Sequence, residues 1–290
     1  MNKMQNQAKT PSTSRSKKRY LGAKLSHLAI KAALLITAFS YGSSAALGKV
    51  VAENITYKTS TTSLSGWAYY DTQSTKKRPA VLVVHEWYGL NDYAKERARM
   101  LAAEGYIALA VDMYGEGKFA THPKDAKKFM MAATSDPAEL KARFEAAMKA
   151  VSKVKGFNGK ISAIGYCFGG AVVLNMARAS LPLEGVVSYH GSLQGELKAE
   201  LGKVKAEVLV ATGGSDPMVP ASQVGAFASE MSQAGVTYTL LNYPKAKHGF
   251  TNKNATAAGK KYDLPLAYDA EADASSWDHT LKFLNRVFMM

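Results

Sequence analysis

The sequence predicts an α/β fold built on an open, doubly wound, mostly parallel sheet with an antiparallel N-terminal start. Three observations lead there. From Ala80 onward, short apolar runs such as Ala80 to His85 alternate with segments of helical period, as strands buried on both faces do when helices return the chain. Before Ala80, two β-rich stretches are separated only by a Ser/Thr-rich link, too short for a helical crossover, so they pair antiparallel. Finally, the 290-residue chain is 47% hydrophobic and 10% aromatic, which supports a large core and excludes disordered or collagen-like classes. A single Cys excludes an internal disulfide and a four-thiolate zinc site.

The elements follow in order. Val50 to Tyr57 and Leu64 to Tyr70 form the antiparallel start, and Ala80 to His85 is the first buried strand. Tyr93 to Glu104 has helical spacing and stops at Gly105; Tyr106 to Val111 is the next strand. Pro123 to Ala133 and Pro137 to Val154 are helices, the second opened by an Asp136 cap and a first-turn proline. Lys160 to Ile164 reads as a short strand, and Gly169 to Ala179 as a helix. Strands at Gly185 to Tyr189, Glu207 to Ala211 and Thr237 to Leu241, with helices at Ala221 to Ala234 and Ala274 to Phe288, complete the pattern. In such sheets ligands sit at the carboxyl ends of the strands.

The formal charge of +14 is unevenly spread. Residues 1–46 hold eight basic side chains and no acid, leaving 29 basic against 23 acidic residues in a body of only +6. That segment has the layout of a signal peptide: a basic stretch, the apolar run Ala32 to Phe39, then small residues with a cleavage pattern at Ser44-Ala45-Ala46. The run is shorter than the roughly 20 residues that cross a bilayer. The reading is therefore a signal over 1–46 and a single domain over 47–290, exported to a bacterial periplasm or secreted, and membrane-anchored only if the signal is retained. With the signal set aside, a nucleic-acid partner has little support. No membrane contact is expected after cleavage, and a monomer is expected.

The strongest local signal is Gly165-Tyr-Cys167-Phe-Gly169, between a short apolar strand and an apolar helix. This is the setting of a nucleophile elbow with Cys in place of Ser. The strand-to-helix turn brings backbones together, so side chains at Gly165 and Gly169 would clash, while Cys167 is thrust out above a helix N-terminus whose dipole favours a thiolate. Asp216 lies in a Gly-rich loop after one predicted strand and His248 follows the next. Nucleophile, acid, histidine is the chain order of the α/β-hydrolase fold. The oxyanion hole of that fold takes one N–H from the residue after the nucleophile, here Phe168, and one from the loop after an earlier strand, for which Trp87 is the candidate. Glu86 faces the same cleft and is placed to accept a hydrogen bond from the thiol. Tyr88, Tyr114 and Asn252 are candidate substrate contacts. His85, His122, His190 and His279 lack metal-ligand spacing and read as structural or surface residues, so no metal is expected; no phosphate loop follows a strand, so no cofactor is expected.

From Ala80 to Phe250 the chain resembles the dienelactone hydrolases, cysteine members of the α/β-hydrolases. The likeness rests on His85-Glu-Trp-Tyr-Gly-Leu-Asn91, Val111-Asp-Met-Tyr114, Gly165-Tyr-Cys-Phe-Gly-Gly170, Gly214-Ser-Asp216 with Val219-Pro220, and His248-Gly-Phe250. It implies a triad of Cys167, His248 and Asp216, with Glu86 pairing with the resting thiol. It also implies a carboxylic ester hydrolase acting on a small-molecule ester or lactone through an acyl-enzyme. One departure stands out: where the family's archetype carries a substrate-binding arginine four residues after the histidine, this chain has Asn252, and the segment after Tyr114 offers Lys118, His122 and Lys124. Neither Asn nor Lys replaces a bidentate guanidinium, so a substrate other than dienelactone is expected. Two rival readings are a hydrolase-fold binding protein without turnover and a redox protein using the Cys167 thiol.

Overall fold

The computed structural model describes residues 50–289; the segment read as a signal, 1–46, lies outside them. The described chain forms one eight-stranded sheet in the order β1-β2-β4-β3-β5-β6-β7-β8. Strands β1 (Val50–Lys58) and β2 (Ser63–Asp71) pair antiparallel, and β2 joins β4 (Ile107–Val111) antiparallel. All later pairings are parallel, through β3 (Arg78–Val84), β5 (Phe157–Tyr166), β6 (Gly185–Tyr189), β7 (Glu207–Gly213) and β8 (Tyr238–Tyr243). This is the α/β-hydrolase architecture with an antiparallel start.

Alternation along the central strands divides the core into two layers. Ala80, Leu82 and Val84 of β3 point to one face with Ile107, Leu109 and Val111 of β4; Val81 and Val83 point to the other with Ala108 and Ala110. The first layer is closed by α2 (Pro123–Thr134), α3 (Pro137–Val151), α4 (Phe168–Arg178) and α5 (Ala221–Gln233). The second is closed by α1 (Asp92–Ala103) and α7 (Ala270–Met289). Strands buried on both faces need continuous apolar runs, which is why β3 was legible as sequence. Asp136 caps α3 as expected, accepting from the N–H groups of Ala138 and Glu139 at 3.0 Å each.

Several element bounds differ from the sequence reading; α3, for example, ends at Val151 rather than Val154. β5 begins at Phe157 rather than Lys160; its early residues include Gly159 at φ +98°, and the register with β3 shifts between Arg78 and Ala80, an irregularity that breaks strand-like alternation. α7 starts at Ala270 because Asp269 caps it, accepting from Ala272 N at 3.0 Å. The eight-residue α6 (Ala255–Tyr262) was not foreseen, since only Ala255 and Gly259 are buried and no apolar stripe marks it.

The chain order reverses between β3 and β5. From β3 it steps outward to β4, whereas β5 lies on the opposite side of β3 and leads on to β6, β7 and β8. Val84 and Gly165 pair at the carboxyl end of this crevice, so the loops after both strands open together at the switch point of the sheet.

Candidate active site

Cys167 is the only residue between β5 and α4. Its backbone has φ 54° and ψ −115°, a conformation that typically costs a non-glycine residue about 1–3 kcal/mol and persists only when the surroundings dictate it. They do so through the main chain. The Cys167 N–H donates to Tyr189 O at 3.0 Å, and Gly169 N donates to His85 O at 3.1 Å, clipping α4 to the loop after β3. A Cβ on Gly165 would lie 2.1 Å from Gly169 O, and one on Gly169 would lie 2.3 Å from Val84 O. Both glycines are therefore required, and the thiol stands partly exposed at the helix N-terminus.

Asp216 follows β7 and His248 follows β8, so both stand at the same rim of the sheet as Cys167. His248 Nδ1 bonds Asp216 Oδ2 at 2.8 Å with both groups buried, and Asp216 Oδ1 accepts from Met218 N at 2.8 Å. A carboxylate can only accept, so Nδ1 carries the proton and Nε2 is the free position of the ring. Nε2 is buried and closes no hydrogen bond of good geometry among the described residues. Burial disfavours the charged imidazole, but the negative charge of nearby Cys167 and the hydrogen bond and charge of Asp216 outweigh it and push the His248 pKa up to about 10.

The loop after β3 is held from beneath. His85 is fully buried; its Nδ1 donates to Glu86 O at 2.6 Å and its Nε2 accepts from Met113 N at 3.3 Å. Burial lowers its pKa to about 4, so it is a neutral strut, in keeping with its reading as structural. Tyr114 is buried against His85 and Phe168, and its hydroxyl donates to Trp87 O at 2.8 Å. It braces the loop from below rather than facing the cavity. Glu86 is buried and accepts from Asn252 Nδ2 at 2.7 Å; among the described residues no hydrogen bond joins it to the thiol. Burial raises its pKa, opposed by Asn252, His248 and Arg97. Phe168 is the first residue of α4, where the N–H has no acceptor within the helix.

Behind His248 lies a polar network absent from the sequence reading. Thr251 Oγ1 bonds Tyr93 OH at 2.6 Å and His190 Nε2 at 2.8 Å, while Arg97 donates to Thr251 O and pairs with Asp273 at 2.6 Å. His190 is buried with its ring centroid 5.1 Å from that of His248, and burial followed by the charge of His248 holds its pKa well below the usual histidine range. Two signals pointed here. Arg97 sits on the buried stripe Ala94, Ala98, Leu101 of α1, and His190 directly follows a strand's carboxyl end.

Cys167, His248, Glu86, Trp87, Tyr88 and Asn252 line one cavity of about 360 Å³. Its far wall is α6, through Ala255, Ala258 and Tyr262. The segment carrying α6 leaves from His248 and returns to it, since Leu266 bridges His248 and Ala267 N donates to His248 O at 3.1 Å. A larger groove of about 1210 Å³ runs along β1 and α3 but contains none of these residues. Among the described residues no group of three or more His, Cys, Asp or Glu is arranged to hold a metal ion.

The sequence profile of the dienelactone hydrolase family matches residues 65–288. The chain belongs to that family. A curated relative from Saccharolobus solfataricus, named "Putative carboxymethylenebutenolidase", is 26% identical over 267 residues, covering 76% of this chain and 97% of its own. Two solved structures share the fold at a TM-score of 0.78 while covering 83% of this chain and 99% of theirs. One, a dienelactone hydrolase-like promiscuous phosphotriesterase from metagenomic libraries, is 34% identical; the other, "m3DLH", is 32% identical. In this dienelactone hydrolase family member the thiol stands on a positive-φ elbow and the imidazole is bonded to a buried carboxylate.

Proposed function

We propose that the protein hydrolyses esters or lactones through a Cys167-His248-Asp216 triad and an acyl-enzyme. In this reading the Cys167 thiolate attacks the substrate carbonyl, and the developing oxyanion accepts hydrogen bonds from the Phe168 and Trp87 N–H groups. As the tetrahedral adduct collapses, the carbon–oxygen bond to the leaving alcohol breaks and the imidazolium of His248 protonates it. Water, giving a proton back to His248, then attacks the thioester; the carbon–sulfur bond breaks, the acid departs and the thiolate is restored. Asp216 holds the imidazole in the tautomer that both transfers need.

The observation that carries this reading is the His248–Asp216 bond at 2.8 Å beside a cavity that also admits the Cys167 side chain. A positive φ at a cysteine costs stability, and an elbow that serves only packing gains nothing from it. Cys167→Ala is expected to abolish hydrolysis of 4-nitrophenyl acetate while leaving the circular dichroism spectrum unchanged; turnover undiminished by that substitution would refute the assignment. Because one relative is a promiscuous phosphotriesterase, neutral phosphotriesters belong in the same screen. The basic and apolar N-terminal segment supports export as the setting of this activity, and N-terminal sequencing of the protein from its native cell is expected to begin near Leu47.

A further inference from the structure

The charge of the cavity points to the kind of acyl group it takes. Among its lining residues the acids are Glu86, buried on the inner wall with its pKa raised by burial, and Asp92, fully exposed and paired with Lys95 at 3.6 Å, and no described Lys or Arg lines it. The nearest amide donor is already committed, since Asn252 Nδ2 is bonded to Glu86 at 2.7 Å. Asn91 accepts with its side-chain oxygen in capping α1, and its amide N–H group and that of Asn254 are the neutral donors left along the lining, each weaker toward a carboxylate than a guanidinium. The rest of the lining is the aromatic surface of Trp87 and Tyr88 and the small apolar surface of Ala255, Ala258 and Leu266.

A free carboxylate brought into this space would lose water, find no Lys or Arg, meet as its one cationic group a His248 imidazolium already committed to Asp216, and stand beside the Glu86 carboxyl group. A neutral chain or ring suffers none of these losses. We propose that, as a hydrolase of esters or lactones, this site selects substrates whose acyl part is uncharged and rejects those carrying a second, free carboxylate. The inference rests on the hydrolase reading for its reaction, while its charge preference belongs to the cavity alone.

The test compares mono-4-nitrophenyl adipate with its methyl ester, two substrates of similar size that differ in one negative charge. The methyl ester is expected to show a kcat/KM larger on the order of 100-fold, with the gap narrowing as salt is added. Asn252→Arg, which brings a guanidinium to the inner wall, is expected to narrow the ratio at least about tenfold. Equal kcat/KM for the two esters, or a preference for the anion, would overturn the proposal, and a ratio unmoved by Asn252→Arg would count against it. Calorimetric binding of both compounds to Cys167→Ala separates the two ideas. If neither ester is turned over, the hydrolase reading fails, yet tighter binding of the methyl ester still upholds the charge preference and equal binding refutes it.

Discussion

The two sides of the cavity are built by different means. On the elbow side, Cys167 is held by main-chain contacts: its own N–H on Tyr189 O, Gly169 N on His85 O, and two glycines whose neighbours leave no space for a methyl group. On the opposite side, α6 presents small or half-exposed residues; its loop is tied by main chain where it closes on His248, and elsewhere meets the rim through side chains, Asn252 on Glu86 and Tyr262 OH on Thr121 O at 3.5 Å. Main-chain geometry survives most substitutions, whereas side-chain contacts change with a single one. The elbow is therefore the rigid part of the site and the α6 wall the part that sets what fits.

The sharpest way to break this contrast is Gly169→Ala. The added methyl would meet Val84 O, a backbone atom that cannot swing aside, so we expect a loss of about 3 kcal/mol or more in urea unfolding, or no folded protein. Acid comes next. His85 titrates near 4 in the fold against about 6.5 when unfolded, so the unfolded chain binds more protons between those values, and stability present above pH 6.5 is lost as the pH falls toward 4. His190, also lowered by burial, adds to the same limb. Urea unfolding at pH 7 and pH 4.5 should differ by about 2–3 kcal/mol from His85 alone, and His85→Asn should flatten the dependence. His248 has the opposite sign, its contribution being complete below pH 6.5 and lost as pH rises through about 10. Smallest is Ala258→Leu on the α6 wall, expected to change KM for bulky acyl groups severalfold while moving the melting temperature by no more than a few degrees.

The legibility of the chain follows the same division. β3, β4 and the elbow could be read because double burial and a strand-helix turn impose residue types that nothing else imposes: apolar runs, and Gly at the two positions flanking Cys167 by two. Asp216 and His248 were found through chain order at successive strand ends, and the structure joins them. The partner of Glu86 was not legible, because which of thiol or Asn252 receives it depends on how a loop 166 residues away returns. Tyr114 was read as a substrate contact, but its position after β4 sends the side chain under the Trp87 loop. α6 escaped because a short helix of Ala, Gly and Lys buries too little to leave a pattern.

The wall segment begins and ends on one residue, with Leu266 and Ala267 returning to His248. A stretch whose two ends are pinned together can lengthen or shorten at small entropic cost, each doubling adding about 0.6 kcal/mol. Insertions, deletions or whole grafts between Asn252 and Leu266 would thus remodel selectivity while the reacting groups keep their places. On the proposed reading, substrate choice and reaction chemistry fall on separate stretches of polypeptide, and a library confined to that one closed loop is the economical place to start redesign.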